Sequence, residues 1–233
     1  MRIGRFRRIL FPPRCGACDQ VLSPDEEGFC RGCNDLVIRV TKNCCVKCGR
    51  TLTDETRALC DDCRSKKHLF SEGRSVYVYD GPMREAMYRF KYSGRYSAAE
   101  AFARDALDLW GSWFEGMGFD MIVPVPMYPA KERRRGFNQA GVFAKALSAE
   151  TGIPVREALE RVRKTPPMKG LAPEERRKNL KNAFQADDFV VKSKKVLMCD
   201  DIYTTGATMD AATGALLGAG AVKVCGIFIC TGE

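Results

Sequence analysis

The run from Val196 to Met209, V-L-M-C-D-D-I-Y-T-T-G-A-T-M, decides how this chain reads. Val196 to Cys199 are four consecutive apolar residues, the pattern of a strand buried on both faces of a parallel sheet. Two carboxylates, Asp200 and Asp201, follow at its carboxyl end. A hydroxyl-rich loop of Thr204, Thr205, Gly206, Ala207 and Thr208 leads into Met209, Ala212, Leu216 and Leu217 at helical spacing. In open α/β sheets, ligands bind where strands end and helices begin. A helix N-terminus offers unpaired N–H groups and partial positive charge to a phosphate. Gly206 permits a tight turn and a close backbone approach, and the threonines supply hydroxyl donors. The two aspartates accept only, which suits sugar hydroxyls. The implied ligand is a sugar carrying a phosphate at one end. The plainer alternative is a capped helix after a strand, but strand, acidic pair, hydroxyl loop and helix agree independently.

Working outward, Arg74 to Tyr79 alternates as a strand. Gly81-Pro82 starts a helix through Met83, Met87 and Phe90, and Lys91 to Gly94 form a loop. A second helix is expected from about Ser97 to Trp110, with Trp110, Trp113 and Phe114 as core or subunit-contact aromatics. Met121 to Val125 reads as a buried strand. A basic loop follows, Lys131, Glu132, Arg133, Arg134, Arg135, then Gly136-Phe137-Asn138-Gln139 and a helix with Phe143, Ala146 and Leu147 on one face. Positive side chains at a strand's carboxyl end suit pyrophosphate, which Arg grips bidentately. Thr165 to Leu171 reads as a flexible loop and residues 173–184 as a basic helix. Val222 to Cys230 gives a last strand. Alternating strands and helices indicate a doubly wound parallel sheet.

Ahead of this domain stand four C-x-x-C pairs: Cys15/Cys18, Cys30/Cys33, Cys45/Cys48 and Cys60/Cys63, each separated from the next by eleven residues. A 30-residue repeat aligns Leu22 with Leu52, Ser23 with Thr53 and Phe29 with Leu59. Two knuckles supply the four thiolates of a tetrahedral zinc site. The repeat favours sequential sites, Cys15, Cys18, Cys30, Cys33 and then Cys45, Cys48, Cys60, Cys63, although equal gaps leave other pairings open. Disulfide or redox pairs are the competing readings; the absence of a signal peptide and of a thioredoxin-like βαβ context argues against both. Cys44 reads as a bystander thiol and His68, the only histidine, as a linker residue.

The 233 residues suffice for one α/β domain plus a small module, divided as 1–68 and 69–233. No apolar run approaches the ~20 residues of a membrane helix, and the basic N-terminus lacks a signal h-region, so a cytoplasmic protein without a membrane span is expected. The formal charge is +9. Eight zinc-bound thiolates and two dications together subtract four, leaving about +5. Basicity alone is therefore a weak sign of nucleic acid. Residues 156–181 hold nine Lys/Arg against four Asp/Glu, beside the phosphate loop. Arg5, Arg7, Arg8 and Arg14 are candidates for phosphate contacts, with a solvated basic tail as the bland alternative. No stretch reads as aromatics interleaved with basics for stacking on single strands.

The 196–209 run resembles the phosphoribosyl-pyrophosphate (PRPP) signature of type I phosphoribosyltransferases. Together with the C-x-x-C pairs, F-K-Y-S-G at 90–94, V-P-V-P at 123–126, R-R-G-F-N-Q at 134–139 and R-R-K-N-L-K-N-A-F at 176–184, the chain is identified as a member of the ComF family, bacterial proteins linked to competence and DNA uptake. One departure stands at Met168, where the family usually has Gln. The resemblance implies a type I phosphoribosyltransferase-like α/β parallel sheet, helices on both faces, preceded by a small double zinc ribbon. It implies that Asp200 and Asp201 face the ribose 2′- and 3′-hydroxyls and that Thr204, Thr205, Gly206, Ala207 and Thr208 hold the 5′-phosphate. The reaction class is displacement of pyrophosphate from C1 of PRPP by an acceptor. Lys91, Arg134 and Arg135 stabilise the leaving group, Mg²⁺ travels with the pyrophosphate, and two zinc ions are structural. No side chain stands out as an acceptor-activating base. A glutamine-dependent amidophosphoribosyltransferase is disfavoured, because Arg2 follows Met1 where a nucleophilic Cys is needed. The rival expectation is a non-enzymatic PRPP sensor, or an adaptor for single-stranded DNA or DNA-uptake proteins.

Overall fold

The computed structural model describes residues 12–92, 94, 96–164, 180 and 182–232. Two one-turn helices, α1 (Arg31–Asn34) and α2 (Asp61–Ser65), lie in the cysteine-rich module. They are followed by β1 (Gly73–Val78), α3 (Gly81–Tyr92), α4 (Ala98–Met117), β2 (Met121–Pro124), α5 (Pro129–Arg135), α6 (Gln139–Thr151), β3 (Leu159–Arg161), β4 (Phe184–Ala186), α7 (Asp188–Val191), β5 (Lys195–Tyr203), α8 (Ala207–Gly218) and β6 (Lys223–Thr231). The main sheet has the order β1-β6-β5-β2 and is parallel throughout. β3 and β4 form a separate antiparallel pair.

Strand alternation sorts the core into two layers. Ile122, Leu197, Cys199, Cys225, Ile227 and Ile229 join α4 and α6 on one face. Val123, Val196, Met198, Val224 and Phe228 join α8 and the β3–β4 pair on the other. Helices therefore cover both faces, as a wholly buried parallel sheet requires. The two cysteine modules divide between the same layers. The first packs with Phe29 against Tyr77 and Phe102, the second with the layer that holds α8.

The contact between the second module and β1 is close. Gly73 N–H donates to the Val46 carbonyl at 2.9 Å, and Ser75 Oγ donates to the Cys48 carbonyl at 2.8 Å. A Cβ on Gly49 would lie 2.1 Å from the Ser75 nitrogen, so the knuckle turns directly on the strand backbone.

Several elements differ from their sequence reading. β5 continues through Asp200 and Asp201 to Tyr203 rather than ending at Cys199, because it stays paired with β6 as far as Tyr203↔Thr231. The basic stretch 131–135 is helical, not a loop. Pro129 opens it at the first turn and Gly136, at φ 87°, closes it. α4 runs seven residues past Trp110 and stops at Gly118, φ 58°. Trp110, buried inside it, donates from Nε1 to the Ser75 carbonyl at 2.9 Å. Phe184, read as the end of the basic helix, lies in β4. The rest of that helix and the 165–171 loop, Met168 included, fall almost wholly outside the described residues, as do Arg5, Arg7 and Arg8.

Candidate ligand site and two cysteine clusters

β5 delivers Asp200 and Asp201 to the carboxyl edge of the sheet, and the chain then turns through Thr204–Gly206 into α8. Gly206 has φ 75°, a left-handed conformation. A cavity of about 60 Å³ opens there, lined by Asp200, Tyr203, Phe228 and residues 204–208. The sequence-derived phosphate loop and one of its two carboxylates thus share one small polar cavity at a helix N-terminus.

A second cavity, of about 130 Å³, is lined by Lys91, Tyr92, Lys131, Arg134 and Arg135. It gathers the three expected cations plus Lys131. Lys91 connects the two regions. Its Nζ lies 2.9 Å from Asp201 Oδ2. Burial would lower the Lys91 ammonium, but Asp201 and then Asp200 outweigh it and hold the pKa above its ordinary value. Lys91 therefore serves a carboxylate as well as the cationic cavity. Arg135 is already engaged, donating to Gln139 Oε1 at 2.5 Å and lying 5.0 Å over the Tyr92 ring.

Asp200 behaves differently from its neighbour. Burial and the adjacent Asp201 charge push its carboxyl up to about 7, although Lys91 and Arg161 pull the other way. Lys131 is lowered by partial desolvation and by the charges of Arg135 and Arg161. Two adjoining carboxylates ringed by cations favour a polyanionic sugar ligand, which brings hydroxyls to the acids and phosphates to the bases.

The cysteines form two clusters in the sequential arrangement, Cys15, Cys18, Cys30, Cys33 and Cys45, Cys48, Cys60, Cys63, with all sulfurs of each set within 4.8 Å of one another. Cys18 and Cys30 Sγ are 3.7 Å apart, as are Cys48 and Cys60 Sγ. Tetrahedral zinc with ~2.3 Å bonds requires sulfurs about 3.8 Å apart, whereas a disulfide requires ~2.05 Å. The geometry fits two structural zinc sites. Cys30 N–H donates to Cys15 Sγ at 3.3 Å, the kind of bond that stabilises a thiolate. Among the described residues no third carboxylate joins Asp200 and Asp201 in a ligand cluster.

Two sequence readings change in the structure, at His68 and at the tyrosines of α3. His68 is no linker residue. Its side chain is 1% exposed, with Nδ1 2.9 Å from Asp210 Oδ2 and Nε2 3.3 Å from Tyr203 Oη. It stays outside both cysteine sets. Arg14 donates within its own module, to the Asp19 carbonyl at 2.9 Å, and its side chain stays 39% exposed. The expectation of no aromatic–basic interleaving fails at Tyr88 and Tyr92. Their ring centroids lie 5.0 Å apart at 46°, 65% and 63% exposed, one turn apart on α3, with Arg135 over the Tyr92 ring.

A profile of the double zinc ribbon domain matches residues 6–64. Competence protein ComFC of Bacillus subtilis is 30% identical over 204 residues, covering 84% of this chain and 80% of that protein. DNA utilization protein YhgH of Escherichia coli K12 is 31% identical over 222 residues, covering 93% and 96%. Competence protein F of Haemophilus influenzae is 28% identical, covering 92% and 96%. Among solved structures, an adenine phosphoribosyltransferase overlays at TM-score 0.40 and 17% identity, over 63% of this chain and 75% of that one. The glutamine PRPP amidotransferase of B. subtilis overlays at 0.39 and 22%, over 60% of this chain and 30% of that one. Those two overlays are too distant to carry an argument, but the sequence relatives run nearly end to end, and the chain belongs to the ComF family.

Proposed function

We propose that residues 69–233 form a PRPP-binding phosphoribosyltransferase-type domain, carried behind a double zinc ribbon of residues 1–68, in a cytoplasmic protein that serves competence or DNA uptake. The observation that carries this reading is the pair of cavities flanking the two aspartates. One is small, hydroxyl-lined and capped by a helix N-terminus; the other is walled by four cations. A ribose with phosphate at C5 and pyrophosphate at C1 has this distribution of charge.

In this reading Thr204, Thr205, Thr208 and the backbone amides of 205–208 hold the 5′-phosphate. Asp200 and Asp201 accept from the ribose hydroxyls, and their charge favours the cation that develops at C1 as pyrophosphate leaves. Lys131, Arg134 and Arg135, with Lys91, take up the negative charge of the leaving group. Magnesium bound to the pyrophosphate oxygens would lower the charge the cations must meet.

Release of pyrophosphate from PRPP, followed with candidate amine and base acceptors, tests the enzymatic form of the proposal. Turnover above the spontaneous rate that disappears in Asp201→Asn supports a transferase. Tight PRPP binding without turnover assigns the domain to sensing.

A second reading has its own observation. Exposed Tyr88, Tyr92 and Tyr96 share a surface with Arg135, with Tyr96 edge-on to Phe137 at 4.6 Å. Exposed aromatics beside cations suit unpaired bases of single-stranded DNA. The names of the relatives, competence and DNA utilization, agree with that partner.

A further inference from the structure

The two cysteine clusters are unequal in their surroundings. In the first, only Cys15 is buried, and its module meets the domain through Phe29 on Tyr77 and Phe102, Gly16 beside Ala101, and Arg89 on the Ala17 carbonyl. All four cysteines of the second are buried. One of them reaches the phosphate loop through three side chains.

Cys63 Sγ lies 3.9 Å from Tyr203 Oη. That hydroxyl lies 3.3 Å from His68 Nε2. His68 Nδ1 is 2.9 Å from Asp210 Oδ2, and Asp210 Oδ1 accepts from the Leu69 amide at 2.8 Å. Asp210 is in the first turn of α8, with its own N–H on the Gly206 carbonyl at 2.8 Å. The loop glycine rests on this chain. A Cβ at Gly206 would lie 2.5 Å from Tyr203 Oη and 2.7 Å from His68 Cε1. The assembly is clamped between rings, with Tyr203 against Phe228 at 4.9 Å and His68 against Phe70 at 5.0 Å. Phe70 belongs to the link between the second module and β1, and its carbonyl accepts from Lys47 inside the Cys45–Cys48 knuckle.

We propose that the second cysteine cluster and the anion loop are one coupled unit. Metal held by Cys45, Cys48, Cys60 and Cys63 fixes Tyr203 and His68, and these positioning residues hold Gly206 and the N-terminus of α8 in the phosphate-binding conformation. This rests on the assignment of residues 204–208 to the 5′-phosphate. Linkage is reciprocal. If metal in the second cluster strengthens phosphate binding, phosphate in the loop must retain that metal by the same factor. The first cluster lacks this path and serves as the internal control.

The test is equilibrium competition for zinc between the full-length protein and a chromophoric chelator, with and without saturating ribose 5-phosphate. Calorimetry under the same conditions reports whether the ligand is bound. Coupling predicts two zinc ions per chain, one held about fivefold or more tightly against the chelator with ligand and the other unaffected. The protected ion should persist in Cys15→Ser/Cys18→Ser. Tyr203→Phe keeps the ring clamp and the metal but lacks the hydroxyl, and should lose most of the protection; His68→Gln should behave likewise. Bound ribose 5-phosphate with unchanged zinc retention at both sites, or full protection in both variants, overturns the coupling and leaves the ligand assignment intact. No calorimetric binding by wild type overturns the ligand assignment and the coupling with it.

Discussion

Lys91 Nζ sits 2.9 Å from Asp201 Oδ2, so the cationic cavity and the acidic pair meet through one ion pair. Each side chain keeps 21% exposure, so solvent moderates the interaction. Lys91→Met leaves Asp201 beside Asp200 without its closest counter-charge. The expected result is a loss of about 1–3 kcal/mol in unfolding free energy, below the fully buried case. The Asp200 titration should also move further upward. Chemical denaturation and carboxyl-resolved NMR titration read the two effects.

Asp200 sets a pH dependence. Its carboxyl is pushed up to about 7, against ~3.9 in an unfolded chain. The native state therefore binds more protons between those values, and this group's contribution to stability falls as pH rises from about 4 to about 7. Asp200→Asn should raise the melting temperature at pH 8 more than at pH 5. Under the proposed function ligand affinity should run the other way, because a carboxylate accepts more strongly than a neutral carboxyl from the ribose hydroxyls that Asp200 and Asp201 share. Wild-type affinity for ribose 5-phosphate should rise through pH 7, beyond the change due to the ligand's own phosphate, and Asp200→Asn should flatten that extra rise.

Metal content should be two zinc ions per chain, and Cys45→Ser/Cys48→Ser should hold one. Because the Cys48 carbonyl accepts from Ser75 and the Val46 carbonyl from Gly73, this variant should loosen β1 as well as residues 45–63. Hydrogen exchange should show β1 amides less protected than in Cys15→Ser/Cys18→Ser. Freshly purified, reduced protein without zinc would contradict the assignment of both clusters.

If the α3 surface stacks unpaired bases, Tyr88→Ala/Tyr92→Ala should weaken single-stranded DNA binding by about 1–3 kcal/mol per lost stack with the salt slope unchanged. Arg135→Gln should reduce that slope by about one. Fluorescence anisotropy across a salt series separates these effects, and wild-type affinity in the double tyrosine variant would exclude the surface.

What the sequence made legible follows from range. Val196 to Cys199 betrayed β5 because a strand covered on both faces is apolar at every position. The cysteine sets were readable because ligand spacing within a knuckle is local, and the 30-residue repeat ordered them. His68 was misread because its partner Asp210 is 142 residues away, and no local pattern marks a histidine that props a distant loop. The acidic pair looked like the end of β5, since two carboxylates in a buried strand contradict its apolar pattern; Lys91 and Arg161, from other elements, make them tolerable there. The helix at 129–135 did carry signals, Pro129 and Gly136, which the run of charges masked. β3 and β4, at three residues each, are too short to show a period. The tyrosines of α3 sit four residues apart, a spacing that brings their rings together only once the segment is helical.

The reason Gly206 must be glycine also changed with the structure. A side chain there collides with Tyr203 and His68 beneath the loop, in addition to any crowding of a phosphate above it. Gly206→Val should therefore lower the melting temperature as well as abolish ligand binding, whereas Thr205→Val should weaken binding with little loss of stability.

The most direct test of the PRPP assignment is calorimetric titration of PRPP and of ribose 5-phosphate, with Mg²⁺, into wild type and into Arg134→Ala/Arg135→Ala. Wild type should bind both, PRPP more tightly. The double variant should lose most of the PRPP advantage and keep ribose 5-phosphate within about twofold, a difference of ~0.4 kcal/mol. Binding of neither ligand by wild type, or equal loss of both in the variant, would contradict the division of the site into a phosphate loop and a pyrophosphate cavity.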